Sequence, residues 1–102
     1  MFNYEKAFLE IKTNCLSGTA TGIDAIMDTL STADLPTTRA VDFFLGLVEH
    51  QAGTDRIEYY LFNGTQIQRN YCTLYFARRN DWKPVNKAYK RGLIDAIQAY
   101  SR

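Results

Sequence analysis

The sequence predicts an all-α fold of about six short helices arranged as stacked antiparallel hairpins. Three observations support this class. Apolar residues recur mainly at spacings of three and four, which is the period of one helix face. Glycine, proline and capping residues divide the chain into segments of helical length. The composition, with 46% apolar residues and a formal net charge of +1, is that of an ordinary globular protein.

The first two predicted helices are separated by Gly18. Asn3 is the expected N-cap of the first, whose apolar positions are Tyr4, Phe8 and Ile11. The second is expected to begin at Thr21, with Asp24 completing an approximate capping box. Its apolar residues share one face and are Ile23, Ile26, Met27 and Leu30.

The third predicted helix, residues 38–51, follows a turn that contains Pro36. Its apolar residues sweep an arc of about 200° when they are placed at 100° per residue. They are Ala40, Val41, Phe43, Phe44, Leu45, Leu47 and Val48. Because an arc this wide has to be covered from two sides, the helix is expected at the centre of the core, with Phe44 fully buried.

The segment Ala52-Gly53-Thr54 is expected to end the third helix, and a fourth is predicted over residues 55–62. Asn63-Gly64 then allows two interpretations. As a hairpin turn between β-prone residues, it gives an α+β fold. As a helix C-terminus followed by Thr65 as an N-cap, it leads into a fifth helix. The apolar spacing favours the helix, since four, three and four residues separate Ile67, Tyr71, Leu74 and Tyr75.

The last predicted helix begins after Asp81, an expected N-cap, with Pro84 in its first turn. Its apolar face extends over nearly five turns and contains Trp82, Val85, Tyr89, Leu93, Ala96 and Tyr100. Gly92 is expected to bend or break this helix, because on a straight helix Ile94 would project among the lysines.

Residues 67–81 (IQRNYCTLYFARRND), followed by Val85, Ala88 and residues 93–95, resemble a HEAT or armadillo-like helical repeat. In such repeats an apolar residue and an arginine precede a helix rich in small residues, and a short turn leads to a second helix. This chain departs from that pattern, because Tyr71 and Tyr75 stand where alanines are usual. The resemblance implies stacked helical hairpins and a role in binding or scaffolding rather than chemistry.

Length and composition predict a single domain over residues 1–102. No apolar run approaches the roughly 20 residues needed to span a bilayer, so no membrane partner is predicted. The first residues lack the pattern of a secretory signal peptide. Cys15 and Cys72 lie in apolar-periodic segments and are expected to be buried, reduced thiols. The predicted location is therefore the cytoplasm.

Charge is distributed unevenly along the chain. Residues 1–51 carry three basic and seven acidic side chains, whereas residues 52–102 carry nine basic and four acidic ones. Six cations of the second half form the candidate partner-binding site: Arg78, Arg79, Lys83, Lys87, Lys90 and Arg91. The last four occupy positions i, i+4, i+7 and i+8, so they share a stripe opposite the apolar face. The alternative is an ordinary solvated helix face.

Three functions remain open. The first is a non-catalytic protein-interaction or scaffolding module that binds an acidic protein surface through this stripe. The second is a nucleic-acid-binding protein that uses the same face together with Arg69, Arg78 and Arg79. The third is a small homo-oligomeric structural protein, in which the acidic half of one copy meets the basic half of its neighbour.

No catalytic, cofactor-binding or metal-binding residue is predicted. His50 stands alone at the predicted end of the third helix, and neither cysteine has a histidine or a second cysteine nearby in the sequence. Gly18, Gly22 and Gly53 are isolated and form no phosphate-binding loop. The sequence therefore predicts a protein that is not an enzyme and that takes no cofactor.

Overall fold

A computed structural model describes residues 4–100, and over that range it contains seven α-helices and no strand. The helices are α1 (Tyr4–Ser17), α2 (Ala20–Thr29), α3 (Leu35–Leu45), α4 (Gln51–Asn63), α5 (Gln66–Arg78), α6 (Trp82–Lys90) and α7 (Ala96–Tyr100). The predicted all-α class is confirmed, and the α+β alternative is wrong. The Asn3 cap lies outside the described residues.

The described residues group into two compact units that divide between Arg56 and Ile57, within α4. In the N-terminal unit, α1 packs against both α2 and α3. In the C-terminal unit, α5 packs against α6 and α7, which also contact each other. Pairing of the six predicted helices in chain order would join the first with the second, the third with the fourth and the fifth with the sixth. The first and the last of these pairs are in contact. The single domain over residues 1–102 stays a prediction.

The boundary between α1 and α2 lies at Gly18 and Thr19. Gly18 has a φ of +62°, a left-handed conformation that favours glycine and ends α1. Thr19, not the predicted Thr21, is the N-cap of α2, because its extended backbone directs the side-chain oxygen to accept from the Gly22 N–H at 3.0 Å. The predicted N-cap is two residues too late, because Thr19 and Thr21 both precede the same apolar face of α2.

The third helix differs most from its predicted bounds. It begins after Asp34, whose carboxylate accepts from the Thr37 N–H at 3.0 Å and also from the Tyr4 hydroxyl. The Tyr4 hydrogen bond, together with those from Thr37, lowers the pKa of the Asp34 carboxyl. The helix ends at Leu45, before Gly46, instead of continuing to residue 51. Residues 46–50 therefore form a connection and not a last helical turn.

Because α3 ends earlier than predicted, its apolar residues do not form the wide arc that was expected from the sequence. Val41 and Leu45 are buried, but Phe43 is 70% exposed and Phe44 is only partly buried. Val48 is buried from the connection after the helix. The predictions that this helix forms the centre of the core and that Phe44 is fully buried are wrong, because α3 buries one face only.

Ala52-Gly53-Thr54 does not end a helix; it lies in the first turns of α4. A Cβ atom at Gly53 would lie 2.9 Å from the Gly18 carbonyl oxygen and 2.7 Å from Val48 Cγ1. Glycine is therefore used here for close backbone approach and not as a helix stop. Further along α4, Arg56 forms an ion pair with Asp24 of α2, at 2.7 Å between Nε and Oδ1.

The helical interpretation of Asn63-Gly64 is confirmed. Thr65 caps α5 by accepting from the Gln68 N–H at 3.3 Å, while the Gln68 side chain accepts from the Thr65 N–H at 2.8 Å. These reciprocal bonds form a capping box. The Asn-Gly pair therefore ends one helix, and the next begins at Gln66.

The predicted break at Gly92 is also confirmed. Gly92 has a φ of +73°, and the chain turns there between α6 and α7. Ile94 is 4% exposed, so the break directs it into the core and away from the lysines. Asp95 and Gln98 then hydrogen-bond each other's backbone N–H groups at 2.7 and 3.0 Å, which starts α7.

Candidate functional site

The site is built on α6, a helix with two chemically different sides. Pro84, Val85 and Ala88 are buried on one side, and proline is tolerated there because it lies in the first turn. Asp81 occupies the predicted N-cap position, although its side chain makes no capping hydrogen bond. The other side carries the exposed cations Lys83, Lys87, Lys90 and Arg91.

These four cations line one open groove with a volume of about 720 Å³. Asn86 completes the lining, and its Oδ1 accepts from the Tyr100 hydroxyl at 2.7 Å. Asn86 lies three residues after Lys83 and four before Lys90, so the helical spacing that identified the stripe also includes it. We call this surface, formed by the four cations and Asn86, the α6 groove.

An aromatic ring, Phe62 at the end of α4, lies beneath two of the cations. Lys87 Nζ is 5.4 Å and Arg91 Cζ is 5.2 Å from the centroid of the Phe62 ring. Both distances are within the range of a cation–π attraction. Sequence reasoning missed Phe62, because nothing in the local pattern connects it with residues 25 and 29 positions further along the chain.

Among residues 4–100, no carboxylate forms an ion pair with any of the four cations of the α6 groove. Residues 57–102 carry eight basic and three acidic side chains, so the charge excess of the second half falls on the C-terminal unit. An anionic group that approaches the α6 groove meets a positive potential and displaces no internal partner.

Arg78 and Arg79 belong to the predicted site but do not line the groove. Arg78 is the last residue of α5, and Arg79 follows as the C-cap. The Arg79 guanidinium lies 4.4 Å from the centroid of the Tyr75 ring. Asn80, with a φ of 57°, turns the chain between these arginines and α6. Both arginines are exposed and add positive charge at the other end of this turn.

Three aromatic residues near α6 contact one another. Trp82 and Tyr100 stack with ring centroids 6.2 Å apart, and Tyr89 meets Tyr100 edge to face at 5.4 Å. Tyr89 and Tyr100 remain 41% and 47% exposed. α7 therefore covers part of the aromatic face of α6 through Tyr100.

Cys15 and Cys72 are buried, as predicted, and form no disulfide within the described residues. Burial raises the pKa of both thiols, that of Cys15 to about 12, so they stay protonated near neutral pH. His50 follows α3 and α4 begins after it, and its ring lies against Gly18. Within residues 4–100, no three His, Cys, Asp or Glu side chains come together as a metal site.

Comparison with protein-family models, with curated proteins and with solved structures gives no match to this chain. None of the helices in the described part of the chain is both long enough and apolar enough to cross a membrane.

Proposed function

We propose that this chain is a non-catalytic protein-interaction module that binds an acidic protein surface through the α6 groove. The observation that carries the proposal is the set of four exposed cations in one groove, without carboxylate partners among residues 4–100. Maintaining four neighbouring like charges on nine helical residues is unfavourable in the isolated protein. An acidic partner relieves that repulsion.

The surroundings of the groove favour a protein partner over nucleic acid. Stacking of bases requires open aromatic faces. Here the Phe62 ring faces Lys87 and Arg91, and Trp82 stacks on Tyr100. Arg69, which the nucleic-acid alternative needs for phosphate contact, has its Nε buried, with no hydrogen-bond partner in the described structure.

The short length of the α6 groove also favours a protein partner over nucleic acid. Lys83 and Arg91 are eight residues apart, or about 12 Å along a helix. A duplex carries a phosphate charge every ~1.7 Å of its axis, and nucleic-acid-binding proteins usually contact it over a longer basic surface. An acidic helix or loop of another protein presents a few carboxylates over a comparable distance.

Two further expectations belong to this proposal. The resemblance of residues 65–95 to HEAT or armadillo-like repeats covers α5 and α6, and such repeats act mainly in binding. Buried thiols that form no disulfide among residues 4–100 suit a reducing compartment, so we infer that the module works in the cytoplasm.

The test compares an Asp/Glu-rich peptide with a single-stranded oligonucleotide of equal formal charge, each followed by fluorescence anisotropy at two salt concentrations. We expect the peptide to bind more tightly, and Lys87→Glu with Lys90→Glu to weaken its binding about tenfold or more. The matched control is Lys12→Glu with Arg39→Glu, which makes the same change in net charge on exposed residues of the N-terminal unit.

Each result of this binding test leads to a different conclusion. Equal losses in both double variants would mean that the peptide senses net charge alone and that the α6 groove is not a site. Tighter binding of the oligonucleotide would overturn the proposal in favour of a nucleic-acid-binding protein. Circular dichroism of each variant confirms that the helices are retained.

A further inference from the structure

The N-terminal unit has a groove of its own, where α1 and α2 meet the start of α3. It has a volume of about 270 Å³ and is more enclosed than the α6 groove. Ala7, Ile11, Ala25 and Ile26 supply apolar walls, and Glu10 adds a carboxylate. Apolar walls with one carboxylate match the aliphatic stem and the ammonium group of a lysine side chain. We call this the α1–α2 groove.

The unit that holds the α1–α2 groove carries an excess of negative charge, since residues 1–56 have eight acidic and four basic side chains. Asp28 is exposed and lies three residues after Ala25, which lines the groove. Helical spacing therefore places a second carboxylate, besides Glu10, on the side of α2 that carries this wall of the groove.

Exposed apolar area adjoins the same groove. Leu9 of α1 is 63% exposed. A second, shallower depression is lined by Leu9, Glu10, Thr13 and Asn14, so it shares Glu10 and Asn14 with the first. Charge alone gives a weak surface contact, and apolar area of this kind adds to affinity when a partner covers it.

We propose that the acidic partner of α6 is a second copy of this chain, a step that rests on the proposed function. α6 of one copy lies along the α1–α2 groove of the next. The lysine stems pack on the apolar walls, and the ammonium groups approach Glu10 and Asp28. The two surfaces complement each other in charge, and α6, about 14 Å long, is shorter than α1, about 21 Å long.

Such a contact is heterologous, because it joins two different surfaces. Each associated pair keeps one unused α6 groove and one unused α1–α2 groove, so further copies can add until a ring closes or a filament grows. This property separates the proposal from a symmetric dimer and makes it testable by mixing variants.

The test is sedimentation velocity of the 102-residue chain over a concentration series at low salt (about 0.05 M) and high salt (about 0.5 M). At low salt the weight-average sedimentation coefficient should rise with concentration, and at high salt it should remain that of a monomer. Lys87→Glu with Lys90→Glu, and separately Glu10→Lys with Asp28→Lys, should each weaken association about tenfold or more. Glu49→Lys with Glu58→Lys makes the same change in net charge as Glu10→Lys with Asp28→Lys, on exposed residues outside both grooves, and should leave association intact.

Mixing the first two double variants is the decisive measurement. Neither variant should associate alone. In an equimolar mixture, the intact surfaces of the two variants are complementary and the two charge-reversed surfaces are also opposite in sign, so the mixture should associate. A mixture that stays monomeric would exclude the heterologous contact. Ala25→Trp supplies a charge-neutral check, since a bulky side chain at this exposed lining position should block the groove and reduce association.

Peptide binding and self-association can be measured separately, so failure of one claim can be told from failure of the other. A wild-type chain that stays monomeric at low salt, yet binds the acidic peptide, overturns self-association and leaves the proposed function standing. Normal peptide binding by Glu10→Lys with Asp28→Lys, combined with lost self-association, supports both.

Discussion

At the residue scale, Gly18, His50 and Gly53 form a close junction in the N-terminal unit. A Cβ atom at Gly18 would lie 2.7 Å from His50 Cδ2, and its φ of +62° disfavours most other residues. A Cβ atom at Gly53 would lie 2.9 Å from the Gly18 carbonyl oxygen. Two glycines therefore allow α1 and α4 to meet backbone to backbone, and His50 packs on the same point.

Gly53→Ala tests this junction. Alanine has the higher helix propensity, so an ordinary helical glycine would gain up to about 1 kcal/mol from the change. We expect a loss of about 1–3 kcal/mol instead, because the added methyl overpacks against Val48 and Gly18. Urea denaturation gives the difference, and a stabilised variant would show that the close approach has room to relax.

At the element scale, several helix ends could be predicted from residues that lie close by in the sequence. The Thr65 cap and Gly92 act through hydrogen bonds or torsions within a few residues, so the local pattern predicts both. The part that Gln68 plays in the capping box was not predicted. Gly53 was misinterpreted because glycine serves both as a helix stop and as a close-contact residue. Only its tertiary neighbours distinguish the two.

The C-terminal end of α3 also could not be predicted from the local sequence. Apolar residues continue without interruption from Phe43 to Val48 except for Gly46, so the period alone supported one long helix. The connection after Leu45 also buries an apolar side chain, Val48, and a periodicity argument does not distinguish it from a helix. For the candidate site, the stripe on α6 followed from spacing, whereas Phe62 beneath it did not.

Gly92 offers a test of the α6–α7 break. No atom lies within 4 Å of a Cβ built at this position, so a substitution acts through backbone conformation alone. Gly92→Ala should destabilise the protein by about 1–2 kcal/mol, the cost of a left-handed non-glycine residue. Gly92→Asn should cost less, since asparagine tolerates that conformation. Thermal unfolding followed by circular dichroism measures both, and equal costs would argue against conformational strain.

At the scale of the whole molecule, charge and compactness divide the chain at nearly the same place. The N-terminal unit holds the acidic excess and the C-terminal unit the basic excess, although α4 belongs to both. The sequence predicts one domain, and a single cooperative transition is the corresponding expectation.

Leu45→Ala tests whether the chain unfolds in a single cooperative transition. Leu45 is 1% exposed in the N-terminal unit, and its truncation should cost about 2–5 kcal/mol. The only tryptophan, Trp82, lies in the C-terminal unit and reports its unfolding by fluorescence. In a single domain, Leu45→Ala lowers the denaturation midpoint seen by Trp82 as much as the midpoint seen by circular dichroism. An unchanged fluorescence midpoint would mean that the units unfold separately.

The Phe62 ring beneath Lys87 and Arg91 has a consequence for binding kinetics. A solvated lysine or arginine gives up side-chain entropy worth about 1.5–2 kcal/mol when a partner immobilises it. Lys87 and Arg91 are already oriented by the ring, so they lose less on binding than Lys83 and Lys90 do. All four cations accelerate the encounter with an anion, because attraction acts at a distance. The two held by Phe62 should contribute more to residence time, and replacing Phe62 should therefore shorten the lifetime of a complex more than it slows its formation.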